Sequence, residues 1–184
     1  MNTHQEVINF WFNELSPKQW WVKDAALDAL IESRFGALHR QAIAGELFAW
    51  RACAVGCLAE VIVLDQFSRN IYRDQAAAFA SDAAALMLAQ CAIAQGFDQQ
   101  LPSEQRAFLY MPFMHSESPL IHTEAVVLFK SLDASSGGAN NLDFELKHKA
   151  IIDRFGRYPH RNSILGRQST PEELAFLTEP NSSF

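Results

Sequence analysis

The chain lacks the sequence features that identify membrane proteins and many enzymes. It has no uninterrupted apolar run of about 18 residues, so the sequence predicts no membrane span. Its first residues contain neither the basic segment nor the apolar segment of a signal peptide. No G-x-S-x-G motif, phosphate-binding P-loop or dinucleotide-binding fingerprint occurs. We therefore expect a cytoplasmic protein, and no particular reaction is indicated.

Cysteine is also scarce, with three residues in a chain of 184. Cys53 and Cys57 lie four apart on a helical pattern, a spacing at which two thiolates could share a metal. No histidine or further cysteine lies near them in the sequence, which favours packing thiols. The sequence therefore predicts no bound metal and no cofactor.

Charge is distributed unevenly along the chain. The net charge is −6, but residues 147–167 contain six Lys or Arg and a single acid, so that segment is +5 and the remainder −11. An acidic protein is a poor candidate for general nucleic-acid binding. A basic segment in an acidic chain indicates either internal pairing with carboxylates or a small anionic ligand.

Apolar residues recur at helical spacing nearly throughout, and no alternating strand pattern of useful length occurs. This periodicity predicts an all-α fold of roughly seven or eight helices, arranged as an antiparallel array of helical hairpins. The length fits a single domain over residues 1–184.

Several helix ends are predicted by their capping residues. Asp24 precedes a long apolar pattern, and Thr170 begins the sequence Thr-Pro-Glu-Glu, which combines an N-cap with proline at the first helical position. Asp74 and Ser81 are both plausible caps for an alanine-rich helix. Residues 135–138, Ser-Ser-Gly-Gly, are predicted to form a flexible loop.

Asp65 falls on the apolar face of the third predicted helix, which is expected to end near Phe67. A buried carboxylate is costly unless it is paired. Arg69 lies one helical turn further on, and Arg73 two turns. Either a salt bridge clamps the helix end, or Asp65 orients Arg69 or Asn70 towards a ligand, and the two interpretations are compatible.

The tripeptide His115-Ser116-Glu117 follows an apolar helical run that contains Pro112. Its histidine and glutamate could act as base and acid or as metal ligands. Alternatively, Ser116 caps the next helix, Glu117 complements its dipole, and His115 is a core histidine. The absence of a second histidine at metal-ligand spacing disfavours a metal site.

Residues 154–167 hold four arginines and a histidine together with two glycines and a proline. The first two arginines could simply finish a helix, where cations are favoured. In contrast, His160-Arg161-Asn162 supplies several kinds of donor suited to a carboxylate or phosphate. Single-stranded RNA would call for more stacking aromatics than Phe155 and Tyr158, so RNA binding is the weaker interpretation.

Five groups of residues, spread over nearly the whole chain, match the motifs of a known family: Phe10-Trp11-Phe12, Gly45-Glu46-Leu47 with Trp50, Leu64 to Arg73, Met111 to Glu117, and Arg154 to Arg167 with Ser169-Thr170. By these motifs the chain resembles the domain of unknown function 924, a largely bacterial family placed in the tetratricopeptide-like helical superfamily. The resemblance implies a tetratricopeptide-like fold and no established activity. Ser68 departs from the family, which has proline there, and Leu120 to Thr123 depart from a more acidic stretch with glutamine.

The leading hypothesis is one polar pocket that binds a small phosphate or carboxylate ligand. In it, Asp65 and Glu117 would orient the donors, and His115 or His160 would transfer any proton. The alternative is a tetratricopeptide-like protein-interaction module in which the same residues form purely structural ion pairs. Neither hypothesis specifies an oligomeric state. The predicted site residues are Asp65, Arg69, Asn70, Arg73, His115, Glu117, Arg157, His160, Arg161, Asn162 and Arg167.

Overall fold

A computed structural model describes residues 3–136, 140–180 and 182. Eight helices follow one another along this part of the chain, and none of the described residues forms a β-strand. The all-α prediction is therefore confirmed, whereas tetratricopeptide-like packing stays a prediction.

The bounds of the eight helices and of the turns between them are as follows. The helices are α1 His4–Asn9, α2 Ala25–Ile43, α3 Ala54–Ile62, α4 Asp82–Ala94, α5 Ser103–Met114, α6 Pro119–Ser136, α7 Asn141–Phe155 and α8 Pro171–Phe176. A π-helical turn, Phe10–Glu14, extends α1, and a second, Val63–Phe67, extends α3 into Ser68–Ile71. Short 3₁₀ turns are Pro17–Trp20, Phe48–Ala52, Ala76–Phe79, Asp98–Gln100 and Pro159–Arg161.

The chain divides into two compact units by its internal contacts. Unit 1 comprises the residues up to Arg73 together with Ala77–Pro112, and unit 2 comprises Asp74–Ala76 and the residues from Phe113 onward. Each unit is described separately below. The prediction of a single domain over residues 1–184 stays a prediction.

The predicted helix starts are confirmed by their capping contacts. Oδ1 of Asp24 accepts hydrogen bonds from the backbone N–H groups of Ala26 (2.9 Å) and Leu27 (3.3 Å). Thr170 forms a capping box with Glu173. Helix α4 begins after Ser81, which decides between the two predicted caps.

Two predicted boundaries were wrong. The third predicted helix does not end near Phe67, because the π-helical turn continues into Ser68–Ile71. The predicted loop at residues 135–138 is helical in its first half, since Ser135 and Ser136 close α6. The other half, Gly137 and Gly138, lies outside the described residues.

Helix α3 is the most deeply buried element of unit 1, and every residue of its Val63–Phe67 turn is buried. Aromatic rings pack around Phe67, which lies 5.0 Å from Phe35 and 5.7 Å from Trp11 between ring centroids. Gly56 allows the chain before α3 to pack tightly, because a Cβ there would lie 2.0 Å from the carbonyl oxygen of Trp50. Only glycine fits this approach.

In unit 2, α6 packs against α7, and the chain beyond α7 packs onto α7 through Tyr158 and Phe176. Gly156 ends α7 in the left-handed conformation, with φ of 68°, which glycine adopts without steric cost. The turn brings Tyr158 into a core with Ile151, Ile152 and Phe176. This reversal positions residues 157–167 beside the start of α6.

One described segment, Ala76–Ala94, has the length and apolar composition of a membrane span, and 28% of it is buried. It is not one continuous α-helix, because it consists of the Ala76–Phe79 turn, Ala80 and Ser81, and the 13 residues of α4. Thirteen residues extend about 20 Å, which is less than the hydrocarbon thickness of a bilayer. We therefore interpret its apolar character as an exposed face of α4.

Candidate functional site

Arg69 is bonded to a carboxylate and to main-chain carbonyls inside unit 1. Its two terminal nitrogens donate to the carboxylate of Asp82 at 2.9 and 3.0 Å. One of them also donates to the carbonyl oxygens of Asp65 and Ala78, each at 3.1 Å. Since Asp82 is the first residue of α4, this pair ties the end of α3 to the beginning of α4.

Asn70 and Arg73 share one carboxylate, that of Asp28 on α2. Arg73 donates to both of its oxygens, at 2.5 and 2.6 Å, and Asn70 donates to Oδ1 at 2.8 Å. Burial tends to raise the pKa of Asp28, but the bonds from Arg73 and Asn70 outweigh it and lower the pKa. This carboxylate therefore stays ionised and fixes α3 to α2.

Asp65 is fully buried, which confirms its place on the apolar face of the third helix. Its carboxylate accepts a hydrogen bond from Gln66 (2.5 Å) and lies 3.7 Å from a guanidinium nitrogen of Arg69. Asp65 thus makes, within unit 1, the contacts expected of a structural clamp at the helix end. A ligand-orienting role for Asp65 stays a prediction.

In unit 2, Glu117 is held by a guanidinium fork and a main-chain amide. Arg167 donates to its two carboxylate oxygens at 2.5 and 2.9 Å, and the backbone N–H of Tyr158 donates to Oε1 at 2.8 Å. Burial opposes ionisation of Glu117, but these bonds and the charges of Arg167 and Arg161 lower its pKa. One carboxylate thus interacts with two guanidiniums.

Arg167 is oriented by contacts other than Glu117. Its Nε donates to Oδ1 of Asn162 at 2.9 Å, and a terminal nitrogen donates to the carbonyl oxygen of Tyr158 at 3.1 Å. Asn162 is fully buried and donates in turn to Oγ of Ser169 at 3.0 Å. The fork therefore has its own support.

Arg157 pairs with a different carboxylate, that of Glu173 in α8. It donates to both oxygens at 2.6 and 2.8 Å, and the same carboxylate accepts from the backbone N–H of Thr170 at 2.7 Å. The bonds from Arg157 lower the pKa of Glu173 to about 2, against the opposing effect of burial. This pair anchors α8.

The structure adds a buried pair that sequence reasoning missed. His122 on α6 and Glu145 on α7 are both fully buried, and His122 Nδ1 lies 2.7 Å from Glu145 Oε1. Nε2 of His122 lies 2.8 Å from the carbonyl oxygen of Ser116, which can only accept, so Nε2 carries a proton. Burial raises the pKa of Glu145, partly offset by His122.

Oε2 of Glu145 has no hydrogen-bond partner among the residues that the structure describes. The sequence held a signal for this pair. His122 lies at helical spacing from the buried Ala125 and Phe129, and Glu145 lies at helical spacing from the buried Ile152. Like Asp65, both are polar residues at apolar positions of a helical pattern.

Tyr158 lies at the centre of the remaining polar side chains of unit 2. Its hydroxyl donates to the carbonyl oxygen of Met114 at 2.6 Å, and the guanidinium of the buried Arg161 lies 4.5 Å from its ring centroid. The rings of His148 and His160 lie 5.8 and 5.4 Å from it. Burial lowers the pKa of His148 to about 3.

His115 and His160, the predicted proton-transfer residues, are both half-buried. His115 lies in the segment between α5 and α6, two residues before Glu117, and the ring of His160 lies beside that of Tyr158. Unit 2 thus brings His115, Glu117 and the predicted residues of the 157–167 segment together, whereas the four predicted residues from Asp65 to Arg73 belong to unit 1. That all eleven share one pocket stays a prediction.

Two open depressions, each of about 320 Å³, lie in unit 1 and are lined by none of the predicted site residues. Within the described parts of the chain, no three His, Cys, Asp or Glu side chains converge on a position that could hold a metal ion. Cys57 is buried, whereas Cys53 and Cys91 are exposed, so the three cysteines are not all packing thiols.

These features define an all-α protein with a buried polar cluster and no recognised catalytic signature. The chain belongs to the bacterial protein family of unknown function DUF924, whose model matches residues 7–181. It is similar to the solved structure of a protein of unknown function from Agrobacterium tumefaciens, with 38% identity and a TM-score of 0.89 over 95% of this chain and 96% of that one. No curated protein matches.

Proposed function

We propose that unit 2 binds a small anionic ligand, a carboxylate or a phosphate, at the fork of Arg167. One observation supports this function above all others: the fork and the amide of Tyr158 already hold a carboxylate, that of Glu117. Paired N–H donors of a guanidinium match carboxylate and phosphate oxygens, and charge strengthens each bond. Arg161 adds a second positive charge beside Glu117.

The surrounding groups suit such a site. Buried titratable groups with pKa values displaced in both directions are typical of functional sites, and here the pKa of Glu145 is raised while that of His148 is lowered. The proton on His122 Nε2 is directed at a carbonyl oxygen, so His122 is not positioned as a base. Any proton transfer to a ligand therefore falls to His115 or His160.

Isothermal titration calorimetry with inorganic phosphate, acetate, succinate and a sugar phosphate tests the proposal. We expect the wild type to bind at least one of them, and Arg167→Ala and Arg161→Ala to lose that binding. Arg154→Ala is the matched control, because Arg154 belongs to the same segment but is exposed and pairs with the exposed Glu172 of α8. Absence of binding by all four, or equal loss in Arg154→Ala, would contradict the proposal.

A protein-interaction module is the second candidate, and it is favoured by the exposed face of α4. The sequence from Ala83 to Gln95 contains no charged residue, although Met87 is 62% exposed and several small neighbours are also exposed. Uncharged exposed faces of this kind mark contact surfaces. The exposed residues of the face are Ala83, Ala84, Met87, Gln90, Cys91 and Ala94.

Sedimentation equilibrium of the wild type and Met87→Lys gives the first test of this candidate. Self-association that the substitution abolishes would support an interaction role for α4. A monomeric wild type, or self-association that persists unchanged in Met87→Lys, would count against an interaction role for this face. RNA binding stays a prediction, and a mobility shift with an oligonucleotide at low salt tests it.

A further inference from the structure

We infer that Glu117 is an internal ligand. Its carboxylate occupies a binding site formed by the guanidinium of Arg167 and the backbone N–H of Tyr158, called the receptor below. The receptor binds the carboxylate of a small molecule once the Glu117 side chain moves away. The inference rests on the proposed function and makes it more specific, because it selects carboxylates over phosphates. It also changes the role of Glu117 from a residue that orients the donors to a competitor for them.

The receptor is complete for a carboxylate. Three hydrogen bonds converge on the two oxygens of Glu117, two from the planar fork of Arg167 and one from the backbone N–H of Tyr158. A fork that donates two parallel bonds matches two oxygens in one plane. A tetrahedral phosphate would have further oxygens outside that plane, for which the fork and the amide supply no donor.

The receptor does not depend on Glu117 for its shape. Arg167 keeps its bonds to Asn162 and to the carbonyl oxygen of Tyr158 when the Glu117 side chain is removed. The amide of Tyr158 is fixed by the turn Pro159–Arg161 and by the buried Tyr158 ring. A site held by its own supporting contacts is preorganised for an incoming ligand.

The Glu117 side chain can turn away from Arg167 without disrupting a helix. This is not true of Glu173, which pairs with Arg157 in the same unit. Glu117 lies outside any helix, between α5 and α6, and its side chain is 26% exposed. Glu173 lies inside α8, is 2% exposed and accepts the capping bond from Thr170. Displacing Glu117 breaks no helical hydrogen bond, whereas displacing Glu173 uncaps α8.

An internal competitor lowers the apparent affinity by the fraction of molecules in which the receptor is open. Removal of the Glu117 carboxylate should therefore raise the affinity for carboxylates. We expect Glu117→Ala to bind acetate and succinate at least about tenfold more tightly than the wild type, as for a receptor open in a tenth of molecules. The gain for inorganic phosphate should be smaller.

The experiment is isothermal titration of acetate, succinate and inorganic phosphate into the wild type, Glu117→Ala and Glu117→Gln. The amide variant keeps the size of the side chain and covers the case in which Glu117→Ala does not fold. Glu173→Ala is the matched control, since it also removes a carboxylate from an arginine of unit 2 but should gain no acetate affinity. The double substitution Glu117→Ala with Arg167→Ala should abolish the gain.

The inference is overturned if neither Glu117 variant binds acetate more tightly than the wild type, or if Glu173→Ala gains as much. If the wild type binds but the variants gain no affinity, the proposed function is upheld and the internal-ligand inference fails. Binding by the variants with none by the wild type would uphold the internal ligand and refute the proposed function. Absence of binding in every protein would refute both.

Discussion

Unit 1 and unit 2 each contain an arginine-rich segment, and Arg167 of unit 2 pairs differently from Arg69 and Arg73 of unit 1. In unit 1, Arg69 and Arg73 bond carboxylates that belong to helices α4 and α2. In unit 2, Arg167 bonds a carboxylate that belongs to no helix, that of Glu117. Exposure does not separate them, because the side chains of Arg69 and Arg167 are 22% and 25% exposed.

The difference lies in what holds the carboxylate. A carboxylate on a helix is attached to backbone that helical hydrogen bonds and packing hold in place, so the pair links two packed elements and stabilises the fold. A carboxylate on a connecting segment can leave while the arginine keeps its other contacts. Two ion pairs of similar length and exposure can thus have different roles, and the sequence positions of the partners decide which role each has.

The largest expected effect is a loss of folding stability caused by a substitution in unit 1. We expect Gly56→Ala to destabilise the protein by about 3 kcal/mol or more, because its Cβ would lie 2.0 Å from the Trp50 carbonyl oxygen and the backbone must shift. Gly36→Ala in α2 is the control, since the atoms nearest its new Cβ lie 3.7 and 3.8 Å away. It should stabilise by up to about 1 kcal/mol through helix propensity. Urea denaturation measures both, and equal effects would contradict this packing.

The second prediction compares the two kinds of ion pair directly. We expect Asp82→Ala to cost about 2 kcal/mol, because it leaves the half-buried guanidinium of Arg69 without its bidentate partner. Glu117→Ala should cost about 1 kcal/mol or less, since Arg167 keeps its other bonds. Urea denaturation of the two variants gives the difference.

Asp153→Ala serves as a baseline for that comparison. Asp153 pairs with Lys149 on α7 and is 50% exposed, so its loss should change stability by about 0.5 kcal/mol or less. If Glu117→Ala proved as costly as Asp82→Ala, Glu117 would be a structural residue and the contrast between the units would fail.

The third prediction concerns pH and the buried cluster of unit 2. The pKa of His148 falls from 6.5 to about 3 on folding, so the unfolded chain binds the proton first as pH falls. Its contribution to stability is complete above pH 6.5 and is lost as the pH falls towards 3, by at most about 1.4 kcal/mol per pH unit. His148→Asn should remove this slope, and unchanged pH dependence between pH 5 and 6.5 would contradict the assignment.

The fourth prediction concerns lower pH and Glu173. Its pKa is lowered to about 2, so its contribution is complete above its ordinary pKa of 4.5 and is lost as the pH falls through 2. Glu173→Gln should therefore lose stability at neutral pH and show a shallower decline below pH 4.5 than the wild type. Thermal unfolding across pH 2.5 to 5 measures it, and parallel declines would count against the pairing with Arg157.

Local features of the fold could be predicted from the sequence, and distant pairings could not. The caps at Asp24 and Thr170 depend on residues at most three positions away, which the sequence shows directly. The burial of Asp65 followed from helical spacing. In contrast, the partner of Arg73 lies 45 residues away and the partner of Arg167 50 residues away, so several carboxylates were equally plausible until the fold was known.

Only part of the candidate site could be predicted, again because the sequence shows local features but not distant pairings. The segment 154–167 could be identified from its unusual composition, which indicates irregular backbone and many hydrogen-bond donors. The π-helical turn Val63–Phe67 has no comparable signal, since it changes one hydrogen-bond register within an apolar helix. The His122–Glu145 pair needed two helices to be aligned, although each residue alone broke an apolar pattern.

The contrast between the two arginine segments is tested most directly by NMR of the arginine Nε–H groups during a titration with succinate. We predict that the resonance of Arg167 shifts together with that of Arg161, because the ligand replaces Glu117 beside them. Those of Arg69, Arg73 and Arg157 should not move, since their carboxylates belong to helices. Shifts in Arg69 and Arg73 as large as that of Arg167, or no shift in any arginine, would contradict the central claim.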